Sequence, residues 1–562
     1  MTSTLAAPPL PPPPPLINTW AAPAIAIPLA IAITVVVFVL VNRTRAHIRN
    51  PTDFLLAGRG IGPVQNALAM VTGPIMYSTM FIITGHVALS GFDAVLLLTA
   101  FTMSMLFALL IYASPVRNVG AHTMGDLFAL RARERPARIA SAVLTLLIYA
   151  MLMIIMLDAV GMVSSRMLEI DSRTGEALVV GVVGLVAVVY VFMGGIAGVT
   201  RMLVVKAVLA LAVVAVLTLL VLAKYNLNLL SLLDDAQANA APDPRGYDLL
   251  GPGRLFGEGS DRWIHLSKVF SIVVGVAGIP YLFMRNAAVT SGRDARRSAG
   301  WAAMIIVGFY ACISVIGLGA VAILGPKNIG VFPPHRDITL PKLADDLGGQ
   351  WLAGTLGAIA LLVVGAVFAA LLINVVTSAT KDINAVRGHR PDPAAELKDT
   401  RRNVAVIGIV SVVVGVAMLS ELTHIFIPTS IDLGGAAVLP AVLYSLFWRR
   451  FNTAGLMWTV YGGIAVTMVM VLFSNGISGD PAALFPDADF KIFDIEPGLV
   501  SVPVAFLLGA IGTLTSSERN DAGFAQMQVR ALTGAAVPAP QDPATTSADN
   551  RDRQSPTPSQ AH

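Results

Sequence analysis

The sequence predicts an all-α polytopic membrane protein with about 13 transmembrane helices, ten of them in a five-plus-five inverted-repeat core. Three observations predict this class. Apolar stretches of about 20 residues recur along most of the chain, and basic residues cluster in alternate loops. Two apolar segments are also interrupted by glycine and proline at matching places, once in each predicted repeat.

The composition agrees with this class. Of the 562 residues, 55% are hydrophobic and 13% are charged, and the mean hydropathy is +0.74. Soluble domains usually carry about 25% charged residues, so this composition is typical of a chain that lies in a bilayer. The modest net charge of +4 gives no footprint for nucleic acid. The single cysteine, Cys312, excludes an intramolecular disulfide and a cysteine-based metal motif.

The predicted spans are runs of about 20 apolar residues, the length that crosses the hydrocarbon core. They cover residues 22–42, 65–90, 94–114, 139–165, 177–198, 203–223, 265–287, 299–324, 353–381, 403–420, 424–447, 453–474 and 497–515. Spans two to six and seven to eleven form the two repeats, at about 65–223 and 265–447, within a transmembrane domain at 22–515. The two repeats start on opposite sides of the membrane, as inverted repeats do.

Basic residues predict the orientation. Arg and Lys follow the first, third, fifth, seventh, ninth and eleventh spans. The positive-inside rule makes these loops cytoplasmic, which places the N-terminus outside, the C-terminus in the cytoplasm and the loop 224–263 outside. We expect a multi-pass protein of the plasma (cell inner) membrane. A disordered Pro-rich extracellular arm at 1–21 and a disordered cytoplasmic tail at 516–562 are also expected.

The two helix breaks carry the main functional signal. Gly73-Pro74 interrupts the first segment, and Gly278-Ile279-Pro280 interrupts the second. Proline removes a backbone donor and clashes with the preceding turn, while glycine tolerates the unwinding. Because unpaired backbone groups are unfavourable in hydrocarbon, a paired break is the best sequence pointer to the binding site of a secondary transporter. The alternative is that glycine and proline are simply common in membrane helices.

Candidate binding residues flank these breaks. Freed carbonyl groups suit a cation, and the positive end of a half-helix suits a carboxylate. The substrate-binding candidates are Thr72, Gly73, Tyr77, Ser78, Thr79, Gly278 and Tyr281. The alternative for each hydroxyl is a hydrogen bond back to its own helix.

Asp158 is an acidic residue in the apolar run 149–161. Such a residue is unfavourable in a membrane, and burial favours the neutral carboxyl group, so Asp158 is a candidate proton carrier. The alternative is that it lies in the outer third of its span and pairs near Arg166. Lys206 and Lys268 lie at predicted span ends and are expected to snorkel to the interface, and Asp382 is expected to face the cytoplasm.

Several runs of the chain resemble the sodium:solute symporter family, and most of all its cation/acetate (monocarboxylate) symporter branch. The runs keep their order and spacing between about residues 53 and 450. They are DFLLAGRGIGPVQN at 53–66, LSGFD at 89–93, VRNVG at 116–120 with Thr123 and Asp126, YVFMGG at 190–195 with Lys206, and GIPYLFMR at 278–285 followed by DARRS at 294–298. The resemblance implies a thirteen-helix, leucine-transporter-type fold, with substrate between the two broken helices and ion binding coupled to alternating access.

The resemblance also implies ion-coupling positions. In sodium-coupled members, a hydroxyl pair on the helix that matches 353–381 helps to bind sodium, and the matching positions here are Ala366 and Val367. Neither side chain offers an oxygen, although the backbone around Thr72 supplies part of a shell. The glutamine that the family carries after the Gly-Gly run is Leu203 here. We therefore expect weak or absent sodium dependence and a measurable dependence on the proton gradient.

The expected function is secondary active symport of a small organic solute, such as the short-chain monocarboxylate acetate, with a cation. The sequence shows no nucleotide loop, metal-ligand cluster or nucleophile motif, so we expect neither an enzyme nor a cofactor. The expected partners are the lipid bilayer, a small organic anion and the coupling cation (Na+ or H+), with no nucleic acid. The alternatives are a transport-dead sensor or scaffold on the same fold, a symporter for another small solute, and a channel.

Overall fold

The chain folds into packed α-helices. The computed structural model describes residues 21–535, except residues 122, 171, 243–245, 256–259, 326–328, 330–334, 389–391, 420–422 and 480–482. Within these ranges there is no β-strand, and 11 helices are long and apolar enough to cross a membrane. The all-α membrane architecture is therefore confirmed, whereas the count of about 13 spans stays a prediction. The predicted arm at 1–21 lies outside the described residues, apart from Ala21.

The first half of the chain contains a helix that stops and restarts. α3 ends at Met70, residues 71–76 are not helical, and the chain resumes through a π-helical segment at Ser78–Ile82. The helices of this half are α1 (Pro23–Arg45), α2 (Pro51–Leu56), α3 (Pro63–Met70), α4 (Ile83–Ser90), α5 (Phe92–Ile111), α6 (Ala113–Val119), α7 (Met124–Ala129), α8 (Glu134–Met167) and α9 (Arg173–Lys224). α9 is kinked at Gly195, where φ is +51° and a Cβ would lie 2.4 Å from the Phe54 carbonyl oxygen, so the kink requires glycine.

The second half contains the other break. α11 ends at Gly278, Ile279 is extended, and α12 begins at Pro280. The helices of this half are α10 (Leu229–Ala238), α11 (Ser260–Gly278), α12 (Pro280–Ala287), α13 (Gly292–Leu324), α14 (Thr339–Val386), α15 (Pro393–Ala417), α16 (Thr423–Leu433) and α17 (Leu439–Phe447), with a π-helical segment at Gly434–Val438. Both interruptions therefore form where the glycine and proline residues predict them.

The interior and the surface differ as a bilayer requires. α14 packs against both α8 and α9, and its most apolar stretch is almost wholly buried, so it forms the centre of the molecule. Large apolar side chains cover the outside of the other long helices; Leu178 is 67% exposed and Val413 is 63% exposed. Exposure of so much apolar surface is unfavourable in water and favourable against lipid tails.

The C-terminal region contains three more helices, and the last one corrects a prediction. They are α18 (Thr453–Leu472), α19 (Gly498–Thr515) and α20 (Asp521–Thr533). Because α20 falls within 516–562, the prediction of a disordered tail is wrong for this part, and residues 536–562 lie outside the described chain. Asn520 caps α20, and Phe524, Met527 and Ala531 recur on one buried face that packs against α6.

Removal of α20 should destabilise the protein. Truncation after Asn520 removes the buried Phe524 and Met527, whose burial is worth up to about 3–6 kcal/mol in total. We expect a lower unfolding temperature in detergent than for the full chain. Truncation after Ala535 leaves α20 intact and is the matched control. Equal unfolding temperatures for the two truncated proteins would contradict a packing role for α20.

The predicted orientation can be tested by cysteine labelling. In a Cys312→Ala background, Arg387→Cys should react with a membrane-impermeant reagent only from the cytoplasmic side, because it follows the basic end of α14. Leu230→Cys, on the exposed face of α10, should react only from outside. Both positions are exposed, so a failure to react reports sidedness rather than burial. Labelling of Arg387→Cys in intact cells would show that this position faces outside and would contradict the predicted orientation.

Candidate transport site

The first break leaves backbone carbonyl groups at and beyond the end of α3, and side chains from other helices bond three of them. The donors are Tyr281 of α12 to the Ala69 carbonyl, Lys206 of α9 to the Thr72 carbonyl at 3.0 Å, and Tyr310 of α13 to the Pro74 carbonyl at 3.3 Å. Because a buried carbonyl without a partner is unfavourable, these contacts hold the unwound segment in one shape.

The second break is held in a different way. The Tyr112 hydroxyl of α5–α6 donates to the Ala277 carbonyl at 2.5 Å. Gly278 packs directly on the π-helical segment, since a Cβ at this position would lie 1.9 Å from the Gly434 carbonyl oxygen. The break therefore contacts α16–α17 through its backbone. Gly278 was predicted to bind substrate, but the structure places it in this helix contact and not among the cavity-lining residues.

A cavity of about 280 Å³ lies between the two breaks. Pockets for drug-sized ligands measure roughly 300–1,000 Å³, so this one suits a small solute. Its wall is largely apolar, and its polar lining residues are Thr72, Ser78, Thr79, His86 and Tyr281. Among the described residues, no Asp, Glu, Lys or Arg lines it. A bound anion would therefore meet hydroxyl groups, the His86 imidazole and backbone dipoles rather than a lysine or arginine side chain.

The structure brings most of the predicted substrate-binding residues together. Those that line the cavity are Thr72, Gly73, Ser78, Thr79 and Tyr281. Two of the hydroxyls bond back to their own segment: Thr72 donates to the Ala69 carbonyl, and Thr79 donates to the Pro74 carbonyl at 2.6 Å. By contrast, the Ser78 hydroxyl and the Gly73 amide have no hydrogen-bond partner among the described residues, so both are available to a ligand.

Tyr77 and Asp158 lie beside the cavity rather than in its lining. The Tyr77 hydroxyl donates to Asp337 at 3.1 Å, and Asp337 lies 3.8 Å from Arg166. Asp158 is buried in α8 and is close enough to act electrostatically on the Tyr77 hydroxyl. The sequence interpretation missed Asp337, because only its place just before an apolar span distinguishes it. We name Tyr77, Asp158, Arg166 and Asp337 the outer cluster, after the predicted orientation.

The structure also corrects two expectations about charged residues. Lys206 does not snorkel: its side chain is 1% exposed and reaches the first break. Asp382 does not face the cytoplasm, because its buried carboxylate accepts hydrogen bonds from Thr123 at 2.8 Å and Ser378 at 2.7 Å. Lys268 is half-exposed and lies 3.8 Å from Glu496, as expected for an interfacial residue. The sequence gives little sign of this burial, because Lys206 lies near the predicted start of the sixth span at 203–223.

The ion-coupling positions carried over from the family are buried on α14. Val367 lines the cavity together with Thr72, and Ala366 is fully buried next to it in the chain. Neither side chain has an oxygen. Within the described ranges, no group of three or more His, Cys, Asp or Glu residues is arranged to hold a metal ion.

Comparison with known proteins identifies the family. The model of the sodium:solute symporter family matches residues 54–463. The chain belongs to this family. It is therefore a membrane transporter and not an enzyme. It is 34% identical over 527 residues to a monocarboxylic acid transporter of Corynebacterium glutamicum, covering 91% of this chain and 96% of the relative. It is 30% identical over 493 residues to an uncharacterized symporter of Bacillus subtilis, covering 86% and 94%.

A solved structure confirms the fold. A Na+-coupled sialic acid symporter, in a substrate-bound outward-open state, aligns with a TM-score of 0.70 over 88% of this chain and 98% of that structure. The sequence identity is 14%, so this likeness concerns the fold alone. The chain therefore has the predicted leucine-transporter-type fold.

The two break glycines should respond differently to the same change. Gly278→Ala places a methyl group against the Gly434 backbone and should lower expression and thermal stability sharply. Gly73→Ala is the matched control, because its Cβ has nothing within 4 Å. It should fold normally and reduce transport by narrowing the cavity. Stability assays in detergent with uptake measurements on the same samples separate the two effects. Normal stability of Gly278→Ala would contradict the close backbone contact.

Proposed function

We propose that this transporter imports a short-chain monocarboxylate such as acetate together with a cation, by alternating access. The family places the protein in a bilayer with a solute and a coupling ion. The name of the Corynebacterium relative, which this chain matches over nearly its whole length, favours a monocarboxylate. The proposal also places the protein in the plasma membrane, with the N-terminus outside and the C-terminus in the cytoplasm, an orientation that the charge pattern supports.

The observation that carries the proposal is the mixed character of the cavity between the breaks. Two half-helices begin there, one after residue 76 and the other at Pro280, and helix N-termini favour a carboxylate. The Gly73 amide and the Ser78 hydroxyl supply donors that no protein group uses. Side chains such as Leu152, Ile155 and Val276 then surround a short alkyl chain. A solute that fits this cavity has one charged end and one apolar end, as a monocarboxylate does.

The same wall argues against dicarboxylates. A second carboxylate would lie against apolar side chains, with no lining Lys or Arg among the described residues to pair with it. Burial of an unpaired charge is strongly unfavourable. The small volume also favours acids of few carbons.

For the coupling ion we propose the proton. Sodium requires several oxygen ligands, and Ala366 and Val367 offer none from their side chains. Asp158 is one candidate for the carrier, because it is a buried carboxyl group beside Tyr77. Its place in the outer cluster, away from the cavity lining, equally suits a role in closing the outer side.

Uptake by proteoliposomes tests the function. Labelled acetate, propionate and pyruvate should accumulate when the outside is acidic, and a protonophore should abolish accumulation. Succinate should neither enter nor compete. Ser78→Ala should raise the half-saturation concentration for the substrate by about tenfold, because one charge-assisted hydrogen bond is worth about 1.5 kcal/mol or more. Its stability should not change, since no protein contact is lost. Accumulation driven by sodium alone would refute proton coupling, and transport of succinate in place of monocarboxylates would refute the substrate class.

A further inference from the structure

Lys206 is a buried amine with little around it to stabilise a positive charge. Its ammonium nitrogen lies 3.0 Å from the Thr72 carbonyl oxygen, which is its sole hydrogen-bond partner among the described residues. No described carboxylate pairs with it. An ammonium group has three donors, so two are unused in this arrangement. A purely structural lysine would normally be paired, because an uncompensated buried charge is strongly destabilising.

The position is nevertheless one that attracts positive charge. Thr72 follows the C-terminal end of α3, and the free carbonyl groups at a helix C-terminus carry partial negative charge. Thr72 and Val367 line the same cavity, and neither Ala366 nor Val367 can complete an oxygen shell for sodium. Lys206 thus brings a covalently attached cation to the carbonyl groups of the break.

Few titratable groups surround Lys206. The second broken helix contributes Tyr281, whose hydroxyl bonds the Ala69 carbonyl, and Arg285, which donates to Thr200 at 2.7 Å. Tyr149 of α8 is buried and close enough to these two side chains to interact with them electrostatically. From α1, α3, α13, α14 and α15, no charged side chain in the described ranges pairs with the ammonium group. No protein carboxylate in the described ranges therefore stabilises a charged Lys206, and a substrate anion in the cavity is the remaining source of negative charge.

We propose that Lys206 carries the coupling proton, an inference that rests on the proposed function. Facing outside, the neutral amine takes one proton from water and becomes an ammonium group bonded to the Thr72 carbonyl. The positive charge draws the substrate carboxylate into the cavity. Facing the cytoplasm, the carboxylate leaves and the ammonium group returns its proton to water, so the carrier goes back with a neutral amine. One proton and one anion cross together, and no net charge moves.

Lys206→Arg separates the steps of this cycle. Arginine keeps the positive charge but does not release its proton in proteins. The loaded carrier can still change sides, so counterflow exchange of labelled acetate should persist. The empty carrier cannot return uncharged, so net uptake driven by the proton gradient should be lost. In the wild-type protein, uptake should be unaffected by a potassium diffusion potential, because transport is electroneutral.

Lys206→Gln is a second variant that tests the inference if the larger arginine side chain prevents folding. It should remove the proton dependence of any remaining transport. Lys268→Gln, at the half-exposed lysine beside Glu496, is the matched control and should behave as wild type. Thermal unfolding in detergent reports whether each variant is folded.

The outcomes are distinguishable. Net proton-driven uptake at the wild-type level by a folded Lys206→Arg or Lys206→Gln protein would overturn the inference. If Asp158→Asn instead lost net uptake while keeping exchange, and Lys206→Arg did not, Asp158 would be the carrier. If the wild-type protein exchanged none of the monocarboxylates, the proposed function would be overturned, and this inference with it.

Discussion

The organisation of this transporter depends on one constraint: backbone carbonyl groups that leave a helix inside a membrane must find donors in the protein. At the first break, those donors come from α9, α12 and α13, through Lys206, Tyr281 and Tyr310. A residue of the second break therefore holds the first break in shape. Arg285, one turn beyond Tyr281, stacks over the Tyr281 ring at 5.4 Å and binds Thr200 of α9. The two repeats are thus joined through the backbone that forms the site.

The same constraint explains the chemistry of the cavity. Protein side chains bond three carbonyl groups at the first break, whereas the Gly73 amide and the Ser78 hydroxyl have no partner among the described residues. These two donors suit an anion. In the proposed cycle, protonated Lys206 supplies positive charge at the carbonyl end of the break. The substrate anion and the proton on Lys206 thus bind to the same backbone break, the anion at its donor groups and the proton beside its carbonyl groups. This proximity is a direct physical basis for coupling them.

Local sequence features predicted the local structure, and distant contacts escaped prediction. Gly73-Pro74 and Gly278-Ile279-Pro280 located both breaks, because proline and glycine act on their own backbone. The lining role of Thr72, Ser78 and Thr79 followed from their nearness to the break. Whether a charged residue is buried depends on which helices pack around it, and the sequence does not contain that information directly. Lys206 and Asp382 were misplaced for this reason. α20 was missed differently: the spacing of Phe524, Met527 and Ala531 was visible, but the polar composition around it outweighed that pattern.

α8 shows how the site can alternate between the two sides. Arg138 near its start binds Asp382 at 3.3 Å, and Arg166 near its end lies 3.8 Å from Asp337. At 1.5 Å per residue, these two arginines lie about 40 Å apart along the helix. Leu152, Ile155 and Met156, between them, line the cavity. A polar cluster thus lies on each side of an apolar cavity, and each joins α8 to a different part of the second repeat. In the proposed alternating-access cycle, access from either side requires the polar contacts on that side to separate, while those on the other side keep water out. Because ion pairs and hydrogen bonds separate more readily in water than in a dry interior, hydration of one cluster favours opening there.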